Sequence, residues 1–142
     1  MARILGIDYG ERRIGVAISD TTGTIATPLQ TIDGTAPQQA ARAIAEIARD
    51  REVERIIVGL PMRMDGSSGP SAENAKAFGE RLLKAGSCPV EYWDERFSSR
   101  TAEQALIEGG ARRQKRKQVI DKLAAQIILQ HYLDSRSPAG LV

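Results

Sequence analysis

The chain has 142 residues, of which 42% are hydrophobic, and its 20 basic and 18 acidic side chains leave a formal net charge of +2. This length and composition fit one globular domain with a packed core. No apolar stretch approaches the roughly 18 residues of a membrane span. The N-terminal apolar run reaches Asp8 too early for a signal peptide. A single cysteine excludes an internal disulfide and a thiolate zinc cluster. We therefore expect a cytoplasmic protein with no membrane partner.

The first third of the chain predicts three strands and a helix. Residues 3–19 form two strands around a turn, and the first strand ends at Asp8. A weaker third strand covers 25–32, where Pro28 lacks an N–H group and predicts an edge position or a break. A helix is expected over 37–51, because apolar side chains recur there at helical spacing, namely Ala40, Ile44, Ile47 and Ala48.

The rest of the chain alternates between strands and helices. We expect a short buried strand over 55–59, a Gly- and Ser-rich loop over 60–70, a helix over 71–85 that ends at Gly86, a strand over 90–93, a short helix over 101–108 and a last helix over 120–133. This order predicts an α/β fold with a mixed sheet. It forms a single domain over 1–134, followed by a frayed C-terminal tail over 135–142.

Carboxylates stand at the predicted ends of two strands. Asp8 closes the first strand, where ligands of α/β folds usually bind, and Gly10 would let a phosphate or a metal approach the backbone. Asp94 and Glu95 close the fifth strand, and Arg96 offsets part of their mutual repulsion. Because side chains alternate across a strand, only one of this pair can share a face with Asp8. The alternatives are a turn-forming aspartate and a solvated strand end.

A third candidate, Asp121, is expected in the first turn of the last helix, which is otherwise apolar. The helix dipole alone would favour an acidic residue there, and this alternative stays open. Together, three carboxylates from two strand ends and a helix start supply the oxygen ligands that Mg²⁺ or Mn²⁺ prefers. The sequence therefore predicts a divalent-metal site.

A basic segment precedes the last helix. Between 96 and 120, seven basic residues stand against two acidic ones, which gives this segment a charge of +5 and the rest of the chain −3. We expect a loop here that binds a polyanion with salt-sensitive affinity, the alternative being a solvated loop. Phosphate contacts carry no base information, so the segment does not distinguish RNA from DNA. Its basic residues are Arg96, Arg100, Arg112, Arg113, Lys115, Arg116 and Lys117.

Two residue types that often carry catalysis occur once each. A single histidine, His131, excludes a nuclease that uses paired imidazoles as acid and base, so we expect it to be structural or at the surface. Cys88 has no histidine partner in view, and we expect it to pack. Aromatic residues make up 4% of the chain, which argues against a single-strand binder that relies on base stacking.

Four sets of segments match one known family in order and cover nearly the whole chain. They are Leu5-Gly6-Ile7-Asp8-Tyr9-Gly10 with Arg13-Ile14-Gly15-Val16-Ala17, Val58-Gly59-Leu60-Pro61 with Met64-Asp65-Gly66-Ser67, Asp94-Glu95-Arg96-Phe97-Ser98-Ser99, and Asp121 with Ala124-Ala125 and Ile128-Leu129-Gln130. On these segments the chain resembles the YqgF family, also called RuvX. Its bacterial members are assigned to pre-16S ribosomal RNA processing and are related to Holliday junction resolvases.

The resemblance implies a ribonuclease-H-like fold, with a mixed five-stranded sheet flanked by helices. It also implies metal-dependent hydrolysis of phosphodiesters, by Mg²⁺ or Mn²⁺ held on Asp8, Glu95 and Asp121, that leaves a 5′-phosphate and a 3′-hydroxyl. Glu95 is the middle ligand because the resolvase pattern places Phe two residues after Glu, and Asp94 is the reserve candidate. The expected substrate is precursor ribosomal RNA, with DNA as the alternative.

The chain departs from the pattern in two places, and competing functions stay open. Resolvases carry a second acid where this chain has Ala124, and Lys122 stands where a small residue is usual. Sugar kinases and actin-like ATPases share the strand-Asp-Gly start but need two such domains. A non-catalytic RNA-binding assembly factor and a DNA junction resolvase are the other rivals. A resolvase would require a two-fold dimer, so both monomer and homodimer stay open.

Overall fold

A computed structural model of the chain describes residues 3–61, 65, 69–94 and 113–136, and for 113–122 it describes the backbone alone. Its elements are the strands β1 (Arg3–Asp8), β2 (Arg13–Ser19), β3 (Ala26–Asp33), β4 (Val53–Leu60) and β5 (Val90–Asp94), and the helices α1 (Pro37–Asp50), α2 (Pro70–Lys84) and α3 (Arg113–Arg136).

The strands form one five-stranded sheet in the order β3-β2-β1-β4-β5. β2 is antiparallel to both β1 and β3, whereas β1, β4 and β5 run parallel. The predicted mixed sheet of five strands is therefore confirmed. Because β1 and β4 are parallel, their carboxyl ends lie at the same edge of the sheet, next to the start of β2.

Helices cover both faces of the sheet, and side-chain alternation divides the core into two layers. Leu5 and Ile7 of β1 pack against α1 and α2, where Phe78 and Leu82 are buried. Ile4 packs on the other face, in a cluster with α3 that includes Ala17, Ala26, Ile57, Ala125, Ile128, Leu129, Tyr132 and Leu133. Both faces of the central strands are buried, which explains their nearly continuous apolar sequences.

Local sequence signals for an edge strand and a helix end are confirmed. β3 is an edge strand, and its pairing with β2 shifts register beside Pro28, where the missing N–H cannot join the ladder. Gly86 has φ of +86° directly after α2, a backbone conformation that favours glycine and ends the helix.

The last helix is longer than predicted. It begins at Arg113, not at residue 120, and ends at Arg136, so the start of the predicted tail is helical. Arg, Lys and Gln are good helix formers, and neither Gly nor Pro interrupts this stretch. The prediction missed this because a polar helix start carries no apolar periodicity. The predicted helix over 101–108 and the tail beyond 136 lie outside the described residues. In the part of the chain that the structure describes, no helix has the length and apolar character needed to cross a membrane.

Candidate active site

Asp8 is the last residue of β1 and lies half-buried on the face of the sheet that α3 covers. Alternation along β1 gives Asp8 the same face as Ile4 and Gly6, and Ile4 is buried in the α3 cluster. The carboxylate therefore stands at the carboxyl edge of the parallel strands, as predicted.

Glycines flank Asp8 on both neighbouring strands. Gly15 of β2 pairs directly with Asp8. On the other side Ile7 pairs with Val58, so the next step of the register brings Gly59 beside Asp8. Neither neighbour carries a side chain, so the adjacent strands place no side chain beside the carboxylate. Sequence reasoning did not give either glycine a role, although a glycine inside an apolar strand is a signal of close approach.

The contact between α3 and β1 sets the position of the helix start. A Cβ atom at Gly6 would lie 2.7 Å from Cβ of Leu129 and 3.0 Å from the carbonyl oxygen of Ala125, so the helix packs directly on this glycine. Further along α3, the Tyr132 hydroxyl accepts a hydrogen bond from Arg55 at 2.8 Å. Arg55 pairs with Ile4, at the start of β1. Thus α3 runs with its N-terminal half toward the Asp8 end of the sheet.

The backbone of Asp121 lies one helical turn before Ala125 and therefore near the level of Asp8. Four helical residues rise about 6 Å, and the two strand residues from Gly6 to Asp8 span about 6.7 Å. Asp121 stands in the third turn of α3, since the helix begins at Arg113. The expectation of a first-turn position is wrong, and a helix dipole does not explain an acidic residue so far from the helix start.

On β5, neighbouring side chains pack on opposite faces of the sheet. Trp93 packs against the α3 cluster, with its ring edge-on to Tyr132 at 5.7 Å between centroids. Tyr92 packs against the α1–α2 layer. Asp94, two residues after Tyr92, is exposed and belongs to the face turned away from Asp8. Glu95 and Arg96 lie outside the described residues.

The basic residues of the predicted polyanion-binding segment fall mostly on the start of α3. The backbone of Arg113, Lys115, Arg116 and Lys117 is helical, so the expected loop is wrong for these four positions. Arg112 lies outside the described residues. The helix joins this run to Asp121 without a break, which fixes the backbone spacing between the charges and the carboxylate position.

The turn after Asp8 is held by contacts with α2 and with the residue after β3. The Tyr9 ring stacks on Phe78 with centroids 4.8 Å apart. The Gly34 N–H donates to the Arg12 carbonyl at 2.9 Å. A Cβ atom at Gly10 would lie 2.5 Å from the Arg13 carbonyl oxygen. The hairpin itself therefore requires Gly10.

Other chemically reactive groups lie away from this edge or take part in packing. His131 is exposed on α3, within the structural or surface role expected for it. Cys88 is half-buried against the α1–α2 core, and burial raises the pKa of its thiol, which fits the predicted packing role. Among the described side chains, no three His, Cys, Asp or Glu residues form a metal-binding group, and the side chains of Glu95 and Asp121 are not in that set.

Comparison with known proteins identifies the family. The family described as "RuvX: Holliday junction resolvase" matches residues 2–135. A protein of Caldanaerobacter subterraneus subsp. tengcongensis, named "Putative pre-16S rRNA nuclease", is 50% identical over 135 residues, which cover 94% of this chain and 97% of that protein.

Two solved structures share the architecture. T. thermophilus RuvC in complex with a Holliday junction substrate matches 96% of both chains with a TM-score of 0.57 and 18% identity. Fowlpox virus resolvase with Holliday junction DNA matches 94% of this chain and 97% of that one, with a TM-score of 0.59 and 14% identity. The fold is therefore ribonuclease-H-like, as expected. Since the family match and the 50% identity both span nearly the whole sequence, the chain belongs to the RuvX family.

Proposed function

We propose that this chain is a divalent-metal-dependent nuclease that hydrolyses phosphodiester bonds, with the 5′ end of precursor 16S ribosomal RNA as its substrate. The observation that carries the proposal is the setting of Asp8, which lies between Gly15 and Gly59 at the carboxyl edge of β1. The name of the 50% identical relative supports the same activity and the same substrate.

In this proposal Asp8, Glu95 and Asp121 hold Mg²⁺ or Mn²⁺. Carboxylate oxygens suit these cations, and the glycines beside Asp8 leave room for them. Asp121, Ala125 and Leu129 are spaced four residues apart, and the last two contact Gly6 of β1. The helix backbone at Asp121 therefore lies one turn before the first of the two residues that contact β1, which supports its role as a ligand.

The alternation on β5 favours Glu95 over Asp94 as the middle ligand. Trp93 packs on the Asp8 face, whereas Tyr92 packs on the opposite face, which Asp94 shares. Ala124, where resolvases carry a second acid, is only 1% exposed and belongs to the core. A site of three carboxylates therefore fits this chain better than one of four.

Asp8, Glu95 and Asp121 would hold the cations, which would supply activation of water and stabilisation of the leaving oxygen, so that hydrolysis would leave a 5′-phosphate and a 3′-hydroxyl. The part of the protein is to hold the cations and to orient the strand. The proposed substrate-binding residues are cationic and flank the carboxylates in sequence, namely Arg96, Arg112, Arg113, Lys115, Arg116 and Lys117. They neutralise backbone phosphates and carry no base specificity.

A DNA junction resolvase is the second candidate, favoured by the family description and by the junction-bound structure with the same fold. Digesting precursor 16S RNA, single-stranded DNA and a four-way junction side by side in Mn²⁺ separates the two. We expect cleavage of the RNA precursor at its 5′ flank and none of the junction. Symmetric cleavage of the junction by a sedimenting dimer would support the resolvase instead. RNA binding without cleavage of any substrate would indicate an assembly factor.

A further inference from the structure

A cavity of ≈ 490 Å³ lies between the turn that follows β1 and the edge strand β3. Arg12 and Arg13 line it together with polar residues of β3, namely Gln30, Thr31 and Asp33, of which Asp33 pairs directly with Arg13. The lining therefore carries two guanidinium groups and one carboxylate, a balance that favours an anion.

The register of β2 brings Arg13 to the face that carries Asp8. Ala17 is buried in the α3 cluster, and alternation along β2 gives Gly15 and Arg13 the same face as Ala17. Gly15 pairs with Asp8. Arg13 therefore lies two residues along β2 from the point opposite Asp8, a distance of about 7 Å. One nucleic acid strand can place neighbouring phosphates at Asp8 and at Arg13.

The acidic residue of the cavity is held by its own loop. An Oδ1 atom of Asp33 accepts hydrogen bonds from the Thr35 N–H at 2.9 Å and from the Thr35 hydroxyl at 2.7 Å. These bonds lower the pKa of Asp33, so it stays charged at neutral pH. Arg12 is exposed to solvent, so its guanidinium group is accessible to an anion.

The turn that carries the arginines is fixed before any ligand arrives. Gly34 is buried, and its N–H donates to the Arg12 carbonyl at 2.9 Å. A Cβ atom at Gly34 would clash with the carbonyl oxygen of Gly10, so the two backbone segments are in direct contact. A turn held in this way loses little conformational entropy when it binds a phosphate.

We propose that Arg12 and Arg13 form a subsite for one backbone phosphate of the substrate strand, next to the phosphate that is cleaved at Asp8. The subsite rests on the proposed nuclease function. It adds the path of the nucleic acid strand, which runs from the carboxylates across β2 toward β3. Arginine suits this role because its planar fork binds phosphate oxygens in a bidentate way. Both arginines are positioning residues, since they bind a phosphate that does not react.

A thermodynamic cycle between protein and nucleic acid tests the subsite. A short fluorescein-labelled RNA that the wild-type protein cuts is made in versions with one methylphosphonate each, which removes one backbone charge. Affinities are measured in Ca²⁺, which suppresses cleavage. For wild type, we expect a methylphosphonate at the linkage next to the cleaved one to lower the affinity for the RNA about tenfold. In Arg12→Gln/Arg13→Gln, the same change should cost less than about twofold, because the partner charge is already gone.

Two controls make the outcome specific. Arg42→Gln/Arg81→Gln removes the same charge from exposed positions on α1 and α2, on the other side of the sheet, and should keep the wild-type pattern at every linkage. Arg12→Gln alone changes an exposed residue and should lose part of the coupling without affecting folding, whereas Arg13→Lys should retain part of it.

The subsite would be overturned if each methylphosphonate changed the affinity of wild type and of the double variant by the same factor at every linkage. That result would leave the nuclease function intact. A wild-type protein that neither binds nor cuts RNA would overturn the proposed function, and the subsite with it.

Discussion

The two faces of the sheet are built from different side chains. Against α1 and α2 the sheet buries large groups that interlock, among them Leu5, Ile7, Ile14, Val16 and Ile56, which meet Ile44, Phe78 and Leu82. Near Asp8 the face beneath α3 carries small residues instead. Gly6 and Ala17 lie on this face, Gly15 and Gly59 flank Asp8, and α3 contributes Ala124 and Ala125.

This difference separates packing from chemistry within one sheet. Large side chains on the α1–α2 face remove the most apolar area from water per residue and contribute most to stability. Small residues on the other face let α3 approach β1 closely, since a Cβ atom at Gly6 would lie 2.7 Å from Cβ of Leu129. Changes to the first face should therefore alter stability, and changes to the second should alter catalysis.

The largest effect is expected from Asp8→Asn, which should abolish divalent-dependent cleavage. The amide keeps the shape of the carboxylate and loses the charge that holds the cation. Cleavage in Mn²⁺ and thermal unfolding are measured together, and the unfolding midpoint should change little. Asp20→Asn is the matched control, because Asp20 caps the turn between β2 and β3, where Thr22 and two backbone N–H groups lower its pKa to about 2. The Asp20→Asn control should cleave at the wild-type rate. Full activity of Asp8→Asn would contradict the assignment of the metal site.

Leu82→Ala tests the packing face. Leu82 is fully buried in the α1–α2 layer, and truncation of such a side chain costs about 2–5 kcal/mol of unfolding free energy. Urea unfolding measures the loss. Cleavage by the folded variant, assayed well below its unfolding midpoint, should stay within about threefold of wild type. A folded variant without activity would contradict the separation of the two faces.

The sequence was sufficient for much of the fold and for the position of Asp8. Neighbouring residues alone predict the strands with short apolar runs, the edge position of the strand that contains Pro28 and the end of the helix before Gly86. Gly15 and Gly59 acquire their role only through the register of three strands, which is a non-local property.

The start of α3 at Arg113 was missed for a different reason. A helix that is polar on all sides has no apolar periodicity to reveal it, although its residues favour helix. The place of Arg13 also depends on pairing, because a single strand shows which residues alternate but not which face meets α3.

Glu95→Gln should reduce cleavage at least about tenfold more than Asp94→Asn. Glu95 is the proposed ligand, so its loss removes a charge that stabilises the cation, whereas Asp94 does not contribute to the proposed metal site. Asp94 belongs to the face of Tyr92, away from Asp8. Comparing kcat/KM of the two variants in Mn²⁺ decides the assignment. The reverse order would move the ligand role to Asp94.

The smallest effect on chemistry is expected from the basic run. Replacement of Arg112, Arg113, Lys115, Arg116 and Lys117 by Gln should weaken nucleic acid binding. Each lost phosphate contact should reduce the log–log salt slope by roughly 0.7 to 0.9. Cleavage at saturating substrate should fall much less, because these residues are not ligands. Binding isotherms in Ca²⁺ at several salt concentrations measure the slope. Identical slopes for wild type and variant would show that these basic residues are a solvated surface that does not bind nucleic acid.

Direct titration of Mn²⁺ into the protein without nucleic acid tests the central claim, that the α3 face of the sheet holds a divalent cation at Asp8. Electron paramagnetic resonance counts the free cation at each step. Saturable binding is expected for wild type and for Asp94→Asn, and loss of that binding is expected for both Asp8→Asn and Asp121→Asn. Wild-type affinity in Asp8→Asn and Asp121→Asn, with both variants folded, would contradict it.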